Sequence, residues 1–208
     1  GILQRPDPLG PAGGNKDDIP DEFPVDKKLE TKFFEDKTEQ YGLENVKAYN
    51  MNIVDLNQDY YSDLVIIPSF YSYPQFYQFD IGKRKFVPRK SPFLKPVKAS
   101  FILFYDLNGD KILDAIVGVL NQKTELSKEP LKIFHGNNDG GDLVFEEAHT
   151  INVTISNSTL GLIDYNLDGR LDLFVGNWFK MVESNPFPAP DYLFESTGEG
   201  YKDVTLIV

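Results

Sequence analysis

LIDYNLDGRLDLFVGN, residues 162–177, reads as an apolar strand, a turn dense in side-chain oxygens, and a second apolar strand. The pattern occurs twice more, as NIVDLNQDYYSDLVII from Asn52 and LFYDLNGDKILDAIVG from Leu103. The first aspartates of the three copies are Asp55, Asp106 and Asp164. A second landmark keeps phase with them. FEDKT at Phe34, FVPRK at Phe86 and FEEAH at Phe145 each precede one of the turns, and YKDVT at Tyr201 follows the last. Two landmarks holding one spacing imply a repeat of about fifty to sixty residues.

Within each repeat a strand enters the turn at Ile53–Val54, Ile102–Phe104 or Leu160–Ile163, and another leaves it at Leu64–Ile67, Ala115–Val119 or Leu173–Val175. YQFDIGKRKF, LKIFHGNNDGGDLVF and YLFESTGEGY each read as a hairpin, because glycine and polar residues separate two apolar runs. Four short strands per repeat predict an all-β chain of four-stranded antiparallel β-propeller blades, a partial propeller of three to four. The expected division is an extended arm or linker over 1–32, rich in Pro, Gly and Asp, and blades over 33–208. The repeats fall at about 34–85, 86–144 and 145–200, with the start of a next blade at 201–208. Residues 28–41 carry the best helical pattern, yet the phase of the later repeats favours a strand ending near Thr38. So short an array leaves open sheet edges. The chain is therefore expected to be part of a longer one, or to complete a ring with another chain.

Each turn has the form D-x-N-x-D-x-x-x-D. The groups are Asp55, Asn57, Asp59 and Asp63; Asp106, Asn108, Asp110 and Asp114; and Asp164, Asn166, Asp168 and Asp172. Calcium gathers six to eight oxygens from carboxylates, amides, backbone carbonyls and water. In a tight turn, positions 1, 3 and 5 point inward together. The carbonyl of position 7 (Tyr61, Ile112 or Arg170) can join them, and the aspartate at position 9 closes the site. Three carboxylates suit Ca2+ better than Mg2+, which demands stricter octahedral geometry. Up to three Ca2+ ions are expected. Asp and Asn also serve as plain turn residues, but three carboxylates gathered without a cation repel one another. An EF-hand would need Glu at position 12, where Ile66, Val117 and Val175 stand. Glycine occupies position 6 only as Gly169, with Tyr60 and Lys111 in the other copies, so the third turn is expected to form the best site.

These turns, followed by DLVI, DAIVG and DLFVGN, resemble the FG-GAP/VCBS repeats of integrin α-chain propellers and of many exported bacterial proteins. FEDKT and YKDVT resemble the terminal element of related bacterial proteins with ASPIC/UnbV modules. The resemblance covers roughly residues 33–208. It implies blades whose turns bind Ca2+, an extracellular, periplasmic or cell-surface location, and a role in adhesion, recognition or scaffolding.

The net charge of −11 disfavours nucleic acid and anionic lipid as partners. Nine of the 32 acidic residues lie in the three turns, so much of the excess negative charge sits where a cation would neutralise it. With no cysteine, disulfides and thiolate chemistry are excluded. No apolar run is long enough to span a bilayer. His135 and His149 lack metal-ligand spacing and read as structural, and no Ser–His–Asp set or phosphate-binding glycine loop stands out. Tyr71, Tyr73, Phe76, Tyr77, Trp178 and Phe179 are candidates for an exposed aromatic surface or for packing between blades. The segment Trp178–Tyr192 is the longest proline-bearing loop and a candidate partner contact. Asn152 and Asn157 begin glycosylation triplets.

The reading is a non-enzymatic, calcium-stabilised scaffold or recognition module. Its partner is expected to be a cell-surface protein or glycan, or the chain that completes the propeller. A propeller-type polysaccharide lyase or hydrolase, or a structural subunit of a larger surface complex, are the alternatives.

Overall fold

A computed structural model describes residues 34–120, 129–153, 157–177, 179–182 and 185–206. The chain divides into two units, Gly1–Lys37 and Thr38–Val208. In the first, residues 34–37 are irregular, with Lys37 paired to Glu35 at 2.7 Å. The expected arm over 1–32 lies outside the described residues.

The second unit is built from strands, and among its described residues there is no helix. Three four-stranded antiparallel sheets follow one another along the chain. The first has the order β1 (Asn50–Val54), β2 (Asp63–Ile67), β3 (Gln75–Asp80) and β4 (Lys85–Arg89). The second repeats it with β5 (Phe101–Tyr105), β6 (Asp114–Gly118), β7 (Leu131–Asp139) and β8 (Asp142–Ile151). The third runs β9 (Asn157–Ile163), β10 (Asp172–Asn177), β13 (Tyr192–Ser196) and β14 (Tyr201–Asp203). A separate hairpin, β11 (Phe179–Val182) with β12 (Asn185–Pro188), is inserted between β10 and β13. These are blade-like units of the β-propeller type, and the sheets do not close into a ring.

The second strand of each sheet carries the core. DLVII and DAIVG are buried at every position, as expected where both faces of a strand are covered. Alternation then divides the side chains. Val65 and Ile67 of β2 meet Ala115 and Val117 of β6 in one cluster, with Phe76, Phe93, Phe134 and Phe145. Ile116, on the other face of β6, meets Leu173 and Val175 of β10 with Leu131, Ile133 and Phe194. In both interfaces, residues one and three places after the aspartate face the preceding sheet. The residue two places after it faces the following sheet. Phe174 occupies that last position in the third sheet and is 39% exposed, whereas Val65 and Ile116 are 0% and 1% exposed.

Turn chemistry fixes the registers. Asp139 and Asp142 flank Gly140 and Gly141, both at positive φ, the two-residue turn whose twist matches a hairpin. At Gly136 an added Cβ would lie 2.0 Å from the Leu113 carbonyl, so only glycine lets β7 approach the turn before β6 so closely.

Among the described residues the expected strand ending near Thr38 is absent: residues 34–37 are irregular, residues 38–42 form a turn, and Phe34 is exposed. The Phe/Tyr landmarks at Phe86, Phe145 and Tyr201 lie in the last strand of one sheet, not the first of the next. The expected boundaries, 34–85, 86–144 and 145–200, therefore fall ahead of the sheet ends. Tyr201–Asp203 completes the third sheet instead of starting a fourth blade. The proline-bearing segment after Trp178 is a hairpin rather than a loop.

Candidate metal centres

The three oxygen-rich turns connect β1 to β2, β5 to β6 and β9 to β10, and they share one hydrogen-bond skeleton. The first aspartate is the hub. One carboxylate oxygen of Asp55, Asp106 and Asp164 accepts the amide hydrogen of Asp59, Asp110 and Asp168, at 3.1, 3.1 and 3.0 Å. The other accepts from Tyr60, Lys111 and Gly169. At position 3, the Asn57, Asn108 and Asn166 amides accept from the position 5 N–H and donate to the position 5 carboxylate. At position 5, Asp59, Asp110 and Asp168 accept from the amides of Tyr61, Ile112 and Arg170. The Arg170 amide, helped by Asn166 and the Arg170 guanidinium, holds Asp168 below the usual carboxylate range.

This curl needs left-handed backbone at positions 4 and 6. Gln58 and Tyr60, Gly109 and Lys111, and Leu167 and Gly169 all have φ between 56° and 84°. Glycine is not required at position 6 for this form: Tyr60 at 71° and Lys111 at 70° adopt it as Gly169 does. The aspartate-centred hydrogen bonds offset the cost of a side chain there, about 1–2 kcal/mol per residue.

Position 9 has a role the spacing did not reveal. Asp63, Asp114 and Asp172 are buried. One oxygen of each accepts the amide of position 2, from Leu56 at 3.2 Å, Leu107 at 2.8 Å and Tyr165 at 3.1 Å. The other accepts an amide from the third strand of the sheet or its end, from Phe79 at 3.1 Å, Gly136 at 2.8 Å and Ser196 at 2.8 Å. Each aspartate thus latches the turn to the third strand. Burial pushes the Asp63 and Asp114 carboxyls above their ordinary value, against the pull of these amides.

The residue before each latch donor leans towards the turn and differs in every copy. His135 lies 3.0 Å from the Asn108 amide and 4.0 Å from Asp114. Its ring also packs against His149. Glu195 lies 3.4 Å from Asn166 and 3.5 Å from the Tyr165 hydroxyl. Gln78, the third, lines a cleft with Asn57 and Asp63. The sequence reading did not single out Gln78 or Glu195. The first two turns also touch: the Gln58 amide donates to the Lys111 carbonyl at 2.9 Å.

The donors are all hard oxygens, the chemistry calcium requires. Among the described residues no three acidic or imidazole groups converge into a compact cluster. In the third turn Arg170 also holds Asp168 at 2.5 Å. A bound cation would displace the contacts from Asn166 and Arg170 to Asp168.

The aromatic candidates separate. Phe76 is in the core, which removes it from any exposed surface. Tyr71 and Tyr73 flank the Lys98 ammonium, at 4.8 and 5.4 Å. Tyr73 is exposed. Trp178 and the Phe179 side chain lie outside the described residues, as does the Asn157 side chain, while Asn152 is exposed. No described helix is long and apolar enough to cross a membrane.

No curated protein matches the chain. The model of the FG-GAP-like repeat family matches residues 106–175. That span opens on the first aspartate of the second turn and ends in the strand that leaves the third. From the second turn to the third, the chain therefore carries an FG-GAP-like repeat, a module of the β-propeller type.

Proposed function

We propose that this chain is a calcium-binding, non-enzymatic scaffold and recognition module of an exported or cell-surface protein, with Ca2+ structural. The observation that carries the reading is the triplicate turn. Three different sets of intervening residues adopt one curl, at the cost of left-handed backbone at non-glycine positions, and each carries the same Asp and Asn side chains at positions 1, 3, 5 and 9. Asp55, Asn57, Asp59 and the Tyr61 carbonyl would hold the first ion. Asp106, Asn108, Asp110 and the Ile112 carbonyl would hold the second, and Asp164, Asn166, Asp168 and the Arg170 carbonyl the third. Asp63, Asp114 and Asp172 have lone pairs left to close each site after accepting two amide hydrogens. Bound calcium would cancel carboxylate repulsion and stiffen the link between the first two strands of each sheet. The family match supports the exported location.

The non-enzymatic reading draws support from the cleft between the first and second sheets. Its two carboxylates are Asp63, which is committed to backbone amides, and the exposed Asp142, a surface partner of Arg89 at 3.4 Å.

The test is calorimetric titration with Ca2+ and with Mg2+, paired with thermal melts in calcium and in excess EDTA. Up to three Ca2+ equivalents and a melting point several degrees higher in calcium are expected. A ligand present at a hundred times its Kd stabilises by about 2.7 kcal/mol per site. The same melting point in EDTA and in millimolar calcium refutes structural calcium.

A further inference from the structure

The chain is acidic overall, yet the 25 residues between Asp80 and Asp106 contain seven of its 21 Lys and Arg and no Asp or Glu. Six of the seven, Lys83, Arg84, Lys85, Arg89, Lys90 and Lys95, are exposed. Five of these lie on or beside β4, which is the edge strand of the first sheet. Cations and a proline on an edge strand discourage pairing with other chains. Edge protection alone does not call for one sign, though: β8, the corresponding edge of the second sheet, carries Glu146 and Glu147.

Where β4 ends, a cleft of about 280 Å³ opens between the first and second sheets. Phe76, Phe93, Leu94 and Leu143 give it an apolar lining, and Arg89 and Lys90 stand on its rim. Leu94 is exposed, an apolar side chain left at the mouth. Arg89 meets the exposed Asp142 at 3.4 Å and also donates to the Gln78 side-chain oxygen, and Lys83 meets Asp80 at 2.9 Å at the hairpin. Surface pairs of this kind exchange readily for an incoming carboxylate.

We propose that this cleft and its cationic edge strand form a docking site for an acidic segment of a partner protein, anchored by one apolar side chain. The volume suits a single aromatic or branched side chain, and the rim selects flanking carboxylates. Charge complementarity favours a partner with the opposite sign and speeds encounter. The inference rests on the recognition-module reading but not on calcium, so the two can fail separately.

The experiment uses the full chain and three synthetic peptides: acetyl-DEFDE-amide, acetyl-DEGDE-amide without the anchor, and acetyl-KKFKK-amide with reversed charge. Binding is read by calorimetry or fluorescence anisotropy, in calcium and in EDTA as separate arms. DEFDE is expected to bind at least tenfold more tightly than either comparator, in both arms. The double variant Arg89→Glu, Lys90→Glu is expected to weaken DEFDE at least tenfold, while Lys202→Glu, a cation on the third sheet, leaves it unchanged. All the altered residues are exposed, and an unchanged melting point confirms the fold. Equal binding of DEFDE and DEGDE, or indifference to the Arg89/Lys90 pair, overturns the proposal. So does a polyuronate that outcompetes the peptide regardless of its phenylalanine. Loss of peptide binding in EDTA alone would place the site under calcium control and overturn its independence.

Discussion

Replacing Asp172 by Asn separates the latch from the ligand. Asp172 is buried and accepts hydrogens from the Tyr165 and Ser196 amides at 3.1 and 2.8 Å. Asparagine keeps one acceptor oxygen. Its NH2 must then face one of those amides, donor against donor. A hydrogen bond to a charged group contributes about 1.5–3 kcal/mol, and a buried donor without an acceptor costs about 1–3 kcal/mol. The variant should therefore lose about 3 kcal/mol or more. For a chain of this size that is a fall of roughly 6–12 °C in Tm, at roughly 2–4 °C per kcal/mol.

The assay is a thermal melt by circular dichroism, run in excess EDTA so that no cation contributes. Asp164→Asn is the matched control, since its carboxylate bonds only exposed amides of its own turn and asparagine keeps half of that capacity. In EDTA the control should lose less than about 1 kcal/mol. In calcium it should forfeit the gain from the third site. An Asp172→Asn chain that melts within a degree of the parent in EDTA, and differs only in calcium, would refute the latch and leave position 9 as a ligand alone.

Three further outcomes follow from the geometry. Tyr60→Gly should raise stability by about 1 kcal/mol, because the native φ of 71° is unfavourable for tyrosine, and calcium stoichiometry in a titration should not change. Gly136→Ala should destabilise by at least about 2 kcal/mol in a denaturant melt, since the new methyl meets the Leu113 carbonyl and pushes the Gly136 amide off Asp114. Burial, with Asp114 and Asp172 nearby, pushes the Tyr201 phenol up to about 12. The folded state thus favours its neutral form, and this stability is present below pH 10 and lost as pH rises from 10 to 12. A phenolate absorbance titration should show one late-titrating tyrosine fewer in Tyr201→Phe, and that variant should resist alkaline unfolding better.

The sheets were legible because two periodicities agree. DLVII and DAIVG are short apolar runs bounded by aspartate turns, and the hairpin between the third and fourth strands of each sheet carries its glycine signal. The phase of the blades was less so. A phenylalanine landmark at fixed distance before a turn is compatible with the last strand of one sheet or the first strand of the next, and only hydrogen-bond partners choose between them. Phe86 pairs with Phe79 inside the first sheet, which settles the matter for β4. Phe34 has the same spacing, yet residues 34–37 are irregular, so a landmark alone does not make a strand.

The latch was illegible for a different reason. Its donors, Phe79, Gly136 and Ser196, act through backbone N–H groups 16, 22 and 24 residues from their aspartates. Any residue but proline supplies that donor, so no side-chain signature marks it. The same register explains why the three turns need not behave alike. It sets Gln78, His135 and Glu195 at matching places over turns that are otherwise nearly identical. An amide, an imidazole and a carboxylate impose different local charge on the same oxygen set. The third turn gains a fourth acidic group from Glu195 and at the same time an internal cation in Arg170. If the turns hold calcium as proposed, glycine at position 6 would not by itself rank them. The third strand, remote in sequence, would add to the charge that an incoming ion meets.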